Sequence, residues 1–271
     1  MLFTGRPISP AAKVTGPHGA QRCENASMTT RAAIAAAAIS CCSVMTAATA
    51  AADRPDYDLS HHPAPAVAPG VGIGIYNADG KPTDTCTAGW LVHDSSGQQS
   101  LLTAGHCDDG GGVNYFNKTR GFQAVGWFTH QAYEGDDSED DDIALLGIAN
   151  SPNGPPQVAT DTRIIGIRPV TAPADDTHLA KGQQLCHYGL ITGPQHRGPE
   201  CGPITDVGPA KVKFLAPVEK GDSGGPVYYR NANGTATPVG ITVREADADG
   251  GTVAELIGPW LEHWNLSVDS S

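Results

Sequence analysis

Gly221–Pro226 reads GDSGGP, and this stretch decides how the rest of the sequence is interpreted. Its serine, Ser223, stands between small residues, so the hydroxyl can remain uncovered while nearby backbone N–H groups converge on one point. Such donors stabilise the oxyanion that forms when a nucleophile attacks an acyl carbon. A glycine-rich turn is also common as a plain β-turn. The stretch therefore indicates a nucleophilic serine only if a base accompanies it.

Two further segments supply the base and its partner. Thr103–Cys107 reads TAGHC and places His106 at the end of a predicted strand, and Asp142–Leu146 reads DIALL and places Asp142 at the start of an apolar strand. A serine hydroxyl is a poor nucleophile near neutral pH, so it needs an imidazole to accept its proton and a carboxylate to fix the imidazole tautomer. His106, Asp142 and Ser223 are therefore the candidate catalytic residues.

Together these motifs resemble the chymotrypsin-like (trypsin-like) serine peptidase family, particularly its compact bacterial secreted members. The resemblance extends over about residues 71–266. It implies an all-β fold of two six-stranded antiparallel β-barrels with a short C-terminal helix and the site in the cleft between the barrels. It also implies His106 as general base, Asp142 as its orienting carboxylate and Ser223 as nucleophile. The backbone N–H groups of Gly221 and Ser223 would form the oxyanion hole.

Four cysteines follow residue 52, and an even number in an exported chain indicates two disulfides. Four cysteines allow three pairings, and the absence of a C-x-x-C pair disfavours a metal site. The resemblance implies a Cys86–Cys107 bridge, which would fasten the histidine strand, and a Cys186–Cys201 bridge of the kind found in bacterial relatives.

The expected substrate pocket departs from the trypsin pattern. Pro217 stands six residues before Ser223, where trypsins carry the aspartate that binds Lys or Arg. The strand expected to form the pocket wall carries Val243, Arg244 and Glu245, where relatives usually have Ser and Gly. In the pocket, Arg244 would attract acidic substrate residues and Glu245 would attract basic ones. The alternative is that both side chains face the solvent. The resemblance therefore does not imply trypsin-like cleavage preference.

The loop that would carry the oxyanion donors, residues 217–223 (the oxyanion loop), contains Asp222. Bacterial relatives pair the matching aspartate with a basic residue directly after the cysteine that matches Cys186, and here that residue is His187. We predict that a His187–Asp222 contact supports the oxyanion loop and is strongest while His187 is protonated.

The composition is that of a globular protein. The 271 residues carry 17 basic and 29 acidic side chains and 39% hydrophobic residues, and glycine and proline make up about a fifth of the chain. The acidic balance excludes a nucleic-acid groove, which needs clustered Lys and Arg, and also docking on anionic lipid. We predict that the acidic run Asp136–Asp141 is a solvated loop, with a calcium site as the weaker alternative. The resemblance implies no metal and no organic cofactor.

Residues 1–52 have the organisation of a secretory leader. Met28–Arg31 is followed by an Ala-rich apolar stretch and then by A-x-A sequences ending at residues 50 and 52, which is the three-part pattern of a signal peptide. The alternative is an uncleaved anchor. Residues 1–27 are polar and aperiodic, so we predict that translation starts at Met28. The expected location is extracellular, with no membrane contact after signal removal.

The remaining chain divides into three parts. Residues 53–69 are rich in Pro, Asp and His and predict an extended or loose arm. Short apolar runs bounded by Gly, Pro, Asn and Asp then predict antiparallel strands. We expect an N-terminal barrel over residues 70–160 and a C-terminal barrel over 161–271. An apolar stripe over about Val253–Trp264 predicts the C-terminal helix, which should begin near Pro259.

The predicted function is a secreted, monomeric serine endopeptidase that hydrolyses polypeptides through an acyl-enzyme intermediate. Two alternatives stay open at this stage. One is a catalytically silent homologue that uses the barrels to bind a partner, and the other is an esterase that uses the same three residues.

Overall fold

The computed structural model describes residues 58–135, 140–148, 158–173, 178–246 and 250–271. The leader (residues 1–52) and residues 136–139 of the acidic run lie outside them. The strands are β1 (Gly72–Asn77), β2 (Pro82–Thr87), β3 (Leu91–Asp94), β4 (Gln99–Thr103), β5 (Gly110–Asn117), β6 (Gly121–Tyr133), β7 (Asp142–Ile148), β8 (Gln184–His187), β9 (Glu200–Val207), β10 (Lys211–Phe214), β11 (Pro226–Arg230), β12 (Ala236–Glu245), β13 (Thr252–Leu256) and β14 (Leu266–Val268). The α-helices are α1 (Thr192–His196) and α2 (Gly258–His263).

These strands form two antiparallel sheets. The C-terminal sheet closes into a six-stranded barrel in the order β10-β13-β12-β11-β8-β9. The N-terminal sheet has the order β14-β3-β4-β7-β6-β5-β1-β2. The predicted all-β, double-barrel class is confirmed. The N-terminal sheet contains eight strands, two more than predicted. Seven of them, β1–β7, are consecutive in the chain, and the eighth is β14, which joins through pairs such as Val268 with Val92.

The two halves are joined by a buried apolar core. Trp90 is fully buried, packs edge-on against Tyr228 of β11 at a ring-centroid distance of 6.4 Å, and donates its indole N–H to the Gly240 carbonyl of β12 at 2.8 Å. A large aromatic ring removed from water, with its polar atom satisfied, is a strong anchor. Trp90 therefore fixes the N-terminal sheet against the barrel and with it the cleft between them.

The described part of the predicted arm is bonded along its length. Leu59 is buried in a 3-10 turn, Ala64 N–H donates to Phe116 O at 3.0 Å and Val67 N–H donates to Ala159 O at 2.8 Å. The Pro-rich composition predicts an extended path but does not reveal this packing.

The C-terminal helix is shorter than its apolar stripe. Val253–Leu256 belongs to strand β13, and the helix begins at Gly258, beside Pro259. The reason is that every residue of β13 is buried, so Val253, Ala254 and Leu256 follow one another without the apolar–polar alternation of a half-buried strand and fit a helical stripe as well. Within the described ranges, no helix combines the length and apolarity needed to cross a membrane.

Candidate active site

His106 and Asp142 form a directly bonded pair. Asp142, the first residue of β7, is 5% exposed; its Oδ2 accepts a hydrogen bond from His106 Nδ1 at 2.7 Å and its Oδ1 accepts the His106 backbone N–H at 2.9 Å. A carboxylate only accepts, so the ring proton lies on Nδ1. This leaves Nε2 of the half-exposed imidazole as the nitrogen that can take up a proton.

The local fold holds this pair from several directions. His106 lies in the short 3-10 turn Gly105–Cys107 after β4. The turn is fixed by the Cys86–Cys107 disulfide and by the Gln131 side-chain N–H, which donates to Gly105 O at 2.8 Å. The imidazole is therefore oriented both by its carboxylate and by the backbone that carries it.

The turn that carries Ser223 packs against the segment that leads to His106. Gly224 has φ +85°, and a Cβ on it would lie 2.0 Å from Thr103 Oγ1 and 3.0 Å from Ala104 N. Only glycine allows this approach.

Ser223 itself is partly buried, and its hydroxyl makes no hydrogen bond with the described residues, His106 included. Such catalytic hydrogen bonds are often long in unliganded sites and tighten when substrate binds.

The backbone of the oxyanion loop leaves two donors available. Asp222 N–H donates to Glu219 O at 3.0 Å and Gly224 N–H to Thr242 O at 2.6 Å. By contrast, the N–H groups of Gly221 and Ser223 donate to no group in the described part of the chain. These are the two donors that the sequence predicts for the oxyanion hole.

The predicted His187–Asp222 contact is wrong. Asp222, fully buried, accepts from the backbone N–H groups of Ile191 (2.8 Å), Thr192 (3.2 Å) and Glu219 (3.0 Å), which stabilise its carboxylate without a cation. His187, also fully buried, instead donates from Nε2 to Pro217 O at 2.7 Å. Asp222 thus ties the oxyanion loop to residues 191 and 192, while His187 bonds to the loop separately, at Pro217.

Burial also overturns the expectation that His187 acts while protonated. Removal from water lowers the pKa of His187 below its ordinary value. The hydrogen bond to the Pro217 carbonyl and the nearby Asp222 and Glu200 oppose this only in part. The unfolded chain therefore binds a proton more readily than the folded chain, so His187 makes the protein less stable as the pH falls below about 6.5.

The variant His187→Gln tests this, because its amide can still donate to Pro217 but does not titrate. We expect the free energy of unfolding of the variant to fall less than that of the wild type between pH 7 and pH 5, as measured by urea denaturation at each pH. His130→Gln, at an exposed histidine of the N-terminal sheet, is the control and should follow the wild type. Parallel curves for His187→Gln and the wild type would contradict the assignment.

A cavity of about 350 Å³ opens beside the serine. Two of the residues predicted for the pocket are absent from its lining: Val243 is buried in the barrel, and Pro217 is turned outward. Three of the lining residues, Val218, Glu219 and Lys220, were not predicted from the sequence, although their position directly before Gly221 was an indication. The lining residues are Val218, Glu219, Lys220, Ser223, Arg244 and Glu245.

The cysteines pair as the resemblance implies. The structure contains the Cys86–Cys107 and Cys186–Cys201 disulfides. His106 Nδ1 or Nε2 and the sulfurs of Cys86 and Cys107 lie within 4.8 Å of one another, but both sulfurs are committed to the disulfide and are not available as metal-binding thiolates.

A buried ion pair behind Asp142 was not anticipated from the sequence. Lys211 of β10 and Glu255 of β13 are both almost fully buried and bonded to each other. Glu255 also accepts the Trp260 indole N–H at 2.9 Å, and its Oε2 lies 3.4 Å from the Asp142 backbone N. Burial raises the pKa of Glu255, while Lys211 and Trp260 oppose the shift. The pair connects the C-terminal barrel to the strand that carries Asp142.

Comparison with known proteins adds information about the fold. No family model matches the chain. Among curated proteins it is similar to two uncharacterised proteins of Mycobacterium tuberculosis, from strains CDC 1551 and H37Rv, each 28% identical over 172 residues. The match spans 58% of this chain and 66% of each relative, so it covers slightly less than two thirds of their length.

Two solved structures illustrate the similarity. One is a glutamic-acid-specific serine protease, 19% identical, with a TM-score of 0.52 over 75% of this chain and 100% of that chain. The other is protease A of Thermobifida fusca, 21% identical, with a TM-score of 0.48 over 76% of this chain and 99% of that one. At these identities the similarity to the first structure shows a shared fold and nothing further.

Proposed function

Starting from the chymotrypsin-like serine protease fold, which this chain has, we propose that it is a secreted serine endopeptidase. The observation that carries the proposal is the buried Asp142 carboxylate bonded to His106 Nδ1. That bond places the ring proton on Nδ1, so Nε2 is the nitrogen that would accept the serine proton, and the glycine-rich turn of Ser223 packs against the segment that leads to His106. A binding scaffold has no physical need for an oriented imidazole together with a serine in a glycine-rich turn.

The mechanism follows from these positions. Ser223 Oγ attacks the scissile carbonyl carbon while His106 Nε2 accepts the hydroxyl proton, and the N–H groups of Gly221 and Ser223 stabilise the resulting oxyanion. His106 then gives the proton to the leaving amine, and an acyl-enzyme remains. Water then attacks the acyl-enzyme in the same way. His106 takes the proton of the water and passes it to Ser223 as the acid product leaves. Asp142 stays ionised and stabilises the imidazolium.

The pocket supports a substrate preference unlike that of trypsin. Pro217 occupies the position of the trypsin aspartate, and the cavity beside Ser223 carries two cationic and two anionic side chains. We therefore do not expect selection for Lys or Arg through a carboxylate at position 217.

Export is supported by the two disulfides, which form and persist in oxidising compartments. It is also supported by the leader pattern of residues 1–52.

Labelling with a fluorophosphonate probe tests the proposal without a guessed substrate. We expect covalent labelling of the wild type at Ser223, located by peptide mass, because only an activated hydroxyl attacks phosphorus readily. Ser223→Ala should abolish labelling, and Ser267→Ala, at an exposed serine of β14, should not. Labelling that persists in Ser223→Ala, or a folded wild type that is not labelled at pH 8, would contradict the proposal. Incubation of the unlabelled wild type with a peptide library then separates the two activities, because an endopeptidase cleaves the peptides and an esterase leaves them intact.

A further inference from the structure

Thr87 bonds to the oxyanion loop on both sides of Asp222. It is the last residue of β2 and is fully buried. Its backbone N–H donates to Ser223 O at 2.7 Å, and its hydroxyl donates to Gly221 O at 2.8 Å. The same hydroxyl oxygen accepts the Leu190 N–H at 2.9 Å. One residue of the N-terminal sheet thus holds two carbonyls of the oxyanion loop, one through its backbone N–H and one through its hydroxyl.

Those two carbonyls belong to the residues whose N–H groups are the expected oxyanion donors. The N–H and the carbonyl of one residue belong to two successive planar peptide units. Anchoring the Gly221 carbonyl therefore fixes the unit after Gly221, and the unit that carries the Gly221 N–H can then turn only through the φ and ψ angles of Gly221. Gly221 has φ +104° and no side chain of its own to restrain it. Its orientation therefore depends on external contacts.

On the side of the oxyanion loop that faces Ile191, the contacts are either apolar contacts with Gly221 or a hydrogen bond to Asp222. Ile191 packs on Gly221, with its Cγ1 3.0 Å from the position of a Cβ, and its N–H binds the Asp222 carboxylate. The Thr87 hydroxyl is the hydrogen-bonding group that holds the Gly221 carbonyl itself, and it is also tied to Leu190, the neighbour of Ile191.

We propose that Thr87 is a positioning residue of the oxyanion hole. Its hydroxyl holds the Gly221 carbonyl so that the Gly221 N–H stays directed at the substrate oxygen. The inference rests on the proposed function, since it concerns the same reaction. Loss of the Thr87 hydroxyl should therefore lower kcat, which reports the chemical step, and leave KM for the substrate nearly unchanged.

The test compares Thr87→Val, which keeps the shape and loses the hydroxyl, with Thr87→Ser, which keeps the hydroxyl. The readouts are kcat and KM for p-nitrophenyl acetate, the fluorophosphonate labelling rate and the melting temperature. One oxyanion donor contributes about 10²–10³-fold to kcat, so a misdirected donor should cost about 10–100-fold. We expect this loss in Thr87→Val with KM changed less than about threefold, and near-complete rescue in Thr87→Ser.

Thr129→Val is the matched control, because the Thr129 hydroxyl also donates to a backbone carbonyl, that of Leu145 at 3.1 Å, on the outer part of the N-terminal sheet. It should leave kcat unchanged. If Thr87→Val does not fold, Thr87→Ala against Thr87→Ser isolates the hydroxyl without a buried extra methyl group.

The outcomes are distinguishable. A kcat for Thr87→Val, or for Thr87→Ala, within threefold of the wild type overturns the inference and leaves the proposed function intact. An equal loss in Thr87→Ser or in Thr129→Val also overturns it, since the effect would then be unrelated to this hydroxyl. A wild type that reacts with neither probe overturns the proposed function and the inference together.

Discussion

Replacing Asp142 by asparagine should lower kcat about 10⁴-fold while the fold survives. The His106 backbone N–H only donates, so the single carbonyl oxygen of the asparagine stays with it. The amide NH₂ then faces His106 Nδ1, which can accept from it only when unprotonated. The ring proton moves to Nε2, the atom that must receive the proton of Ser223.

Steady-state kinetics on p-nitrophenyl acetate and circular dichroism of Asp142→Asn measure this effect. The chain supplies a matched control in a second histidine–aspartate pair, His93 Nδ1 with Asp269 Oδ1 at 2.5 Å. Asp269→Asn makes the same chemical change away from the proposed site, so kcat should stay within about twofold. An Asp142→Asn variant within tenfold of the wild type would remove Asp142 from the mechanism.

Replacing Lys211 by methionine should reduce the free energy of unfolding by about 3–5 kcal/mol. The change leaves Glu255 as a charge with no cation beside it, in a site where its side chain is fully buried. Denaturant unfolding followed by fluorescence gives the magnitude. Lys181→Met is the control, because Lys181 and Asp206 form an exposed pair at 2.9 Å that should contribute less than about 1 kcal/mol.

The loss in Lys211→Met should shrink as the pH falls. Burial raises the pKa of Glu255 in the folded state, so the folded chain binds that proton more tightly than the unfolded chain. The contribution of Glu255 to stability is then most favourable when the carboxyl is protonated and declines as the pH rises through the raised pKa. Without Lys211 that decline extends to higher pH.

A double variant separates charge from packing. In Lys211→Met with Glu255→Gln the remaining side chain is neutral, so most of the lost stability should return. A deficit that is independent of pH, or that the double variant does not reduce, would show that the loss comes from packing alone.

The sequence is informative where local chemistry requires particular residues. GDSGGP requires glycine at 224 because the serine turn touches Thr103, and TAGHC carries the cysteine whose bridge holds the histidine turn. The resemblance supplied the disulfide pairing and the double-barrel class. The roles of His106, Asp142 and Ser223 stay predictions, which the labelling and kinetic experiments address.

The sequence is uninformative where the partner of a side chain is set by the tertiary fold. His187 and Asp222 are both buried, and they form hydrogen bonds with backbone groups of other segments. No sequence motif predicts these partners. Lys211 and Glu255 are 44 residues apart along the chain, and nothing in either neighbourhood predicts an ion pair. Strand β2 (PTDTCT) is polar enough to be overlooked, although it carries Thr87.

The position of the short strand β14 affects how the protein unfolds. After crossing the C-terminal barrel and helix α2, the chain returns to lie beside β3, and Asp269 N–H donates to Leu91 O at 2.9 Å. The last strand of the N-terminal sheet is thus attached through the C-terminal barrel, so unfolding of that barrel releases a segment that the sheet needs. Heating should therefore produce one cooperative transition, in which the cleft and both barrels disappear together and no half persists alone.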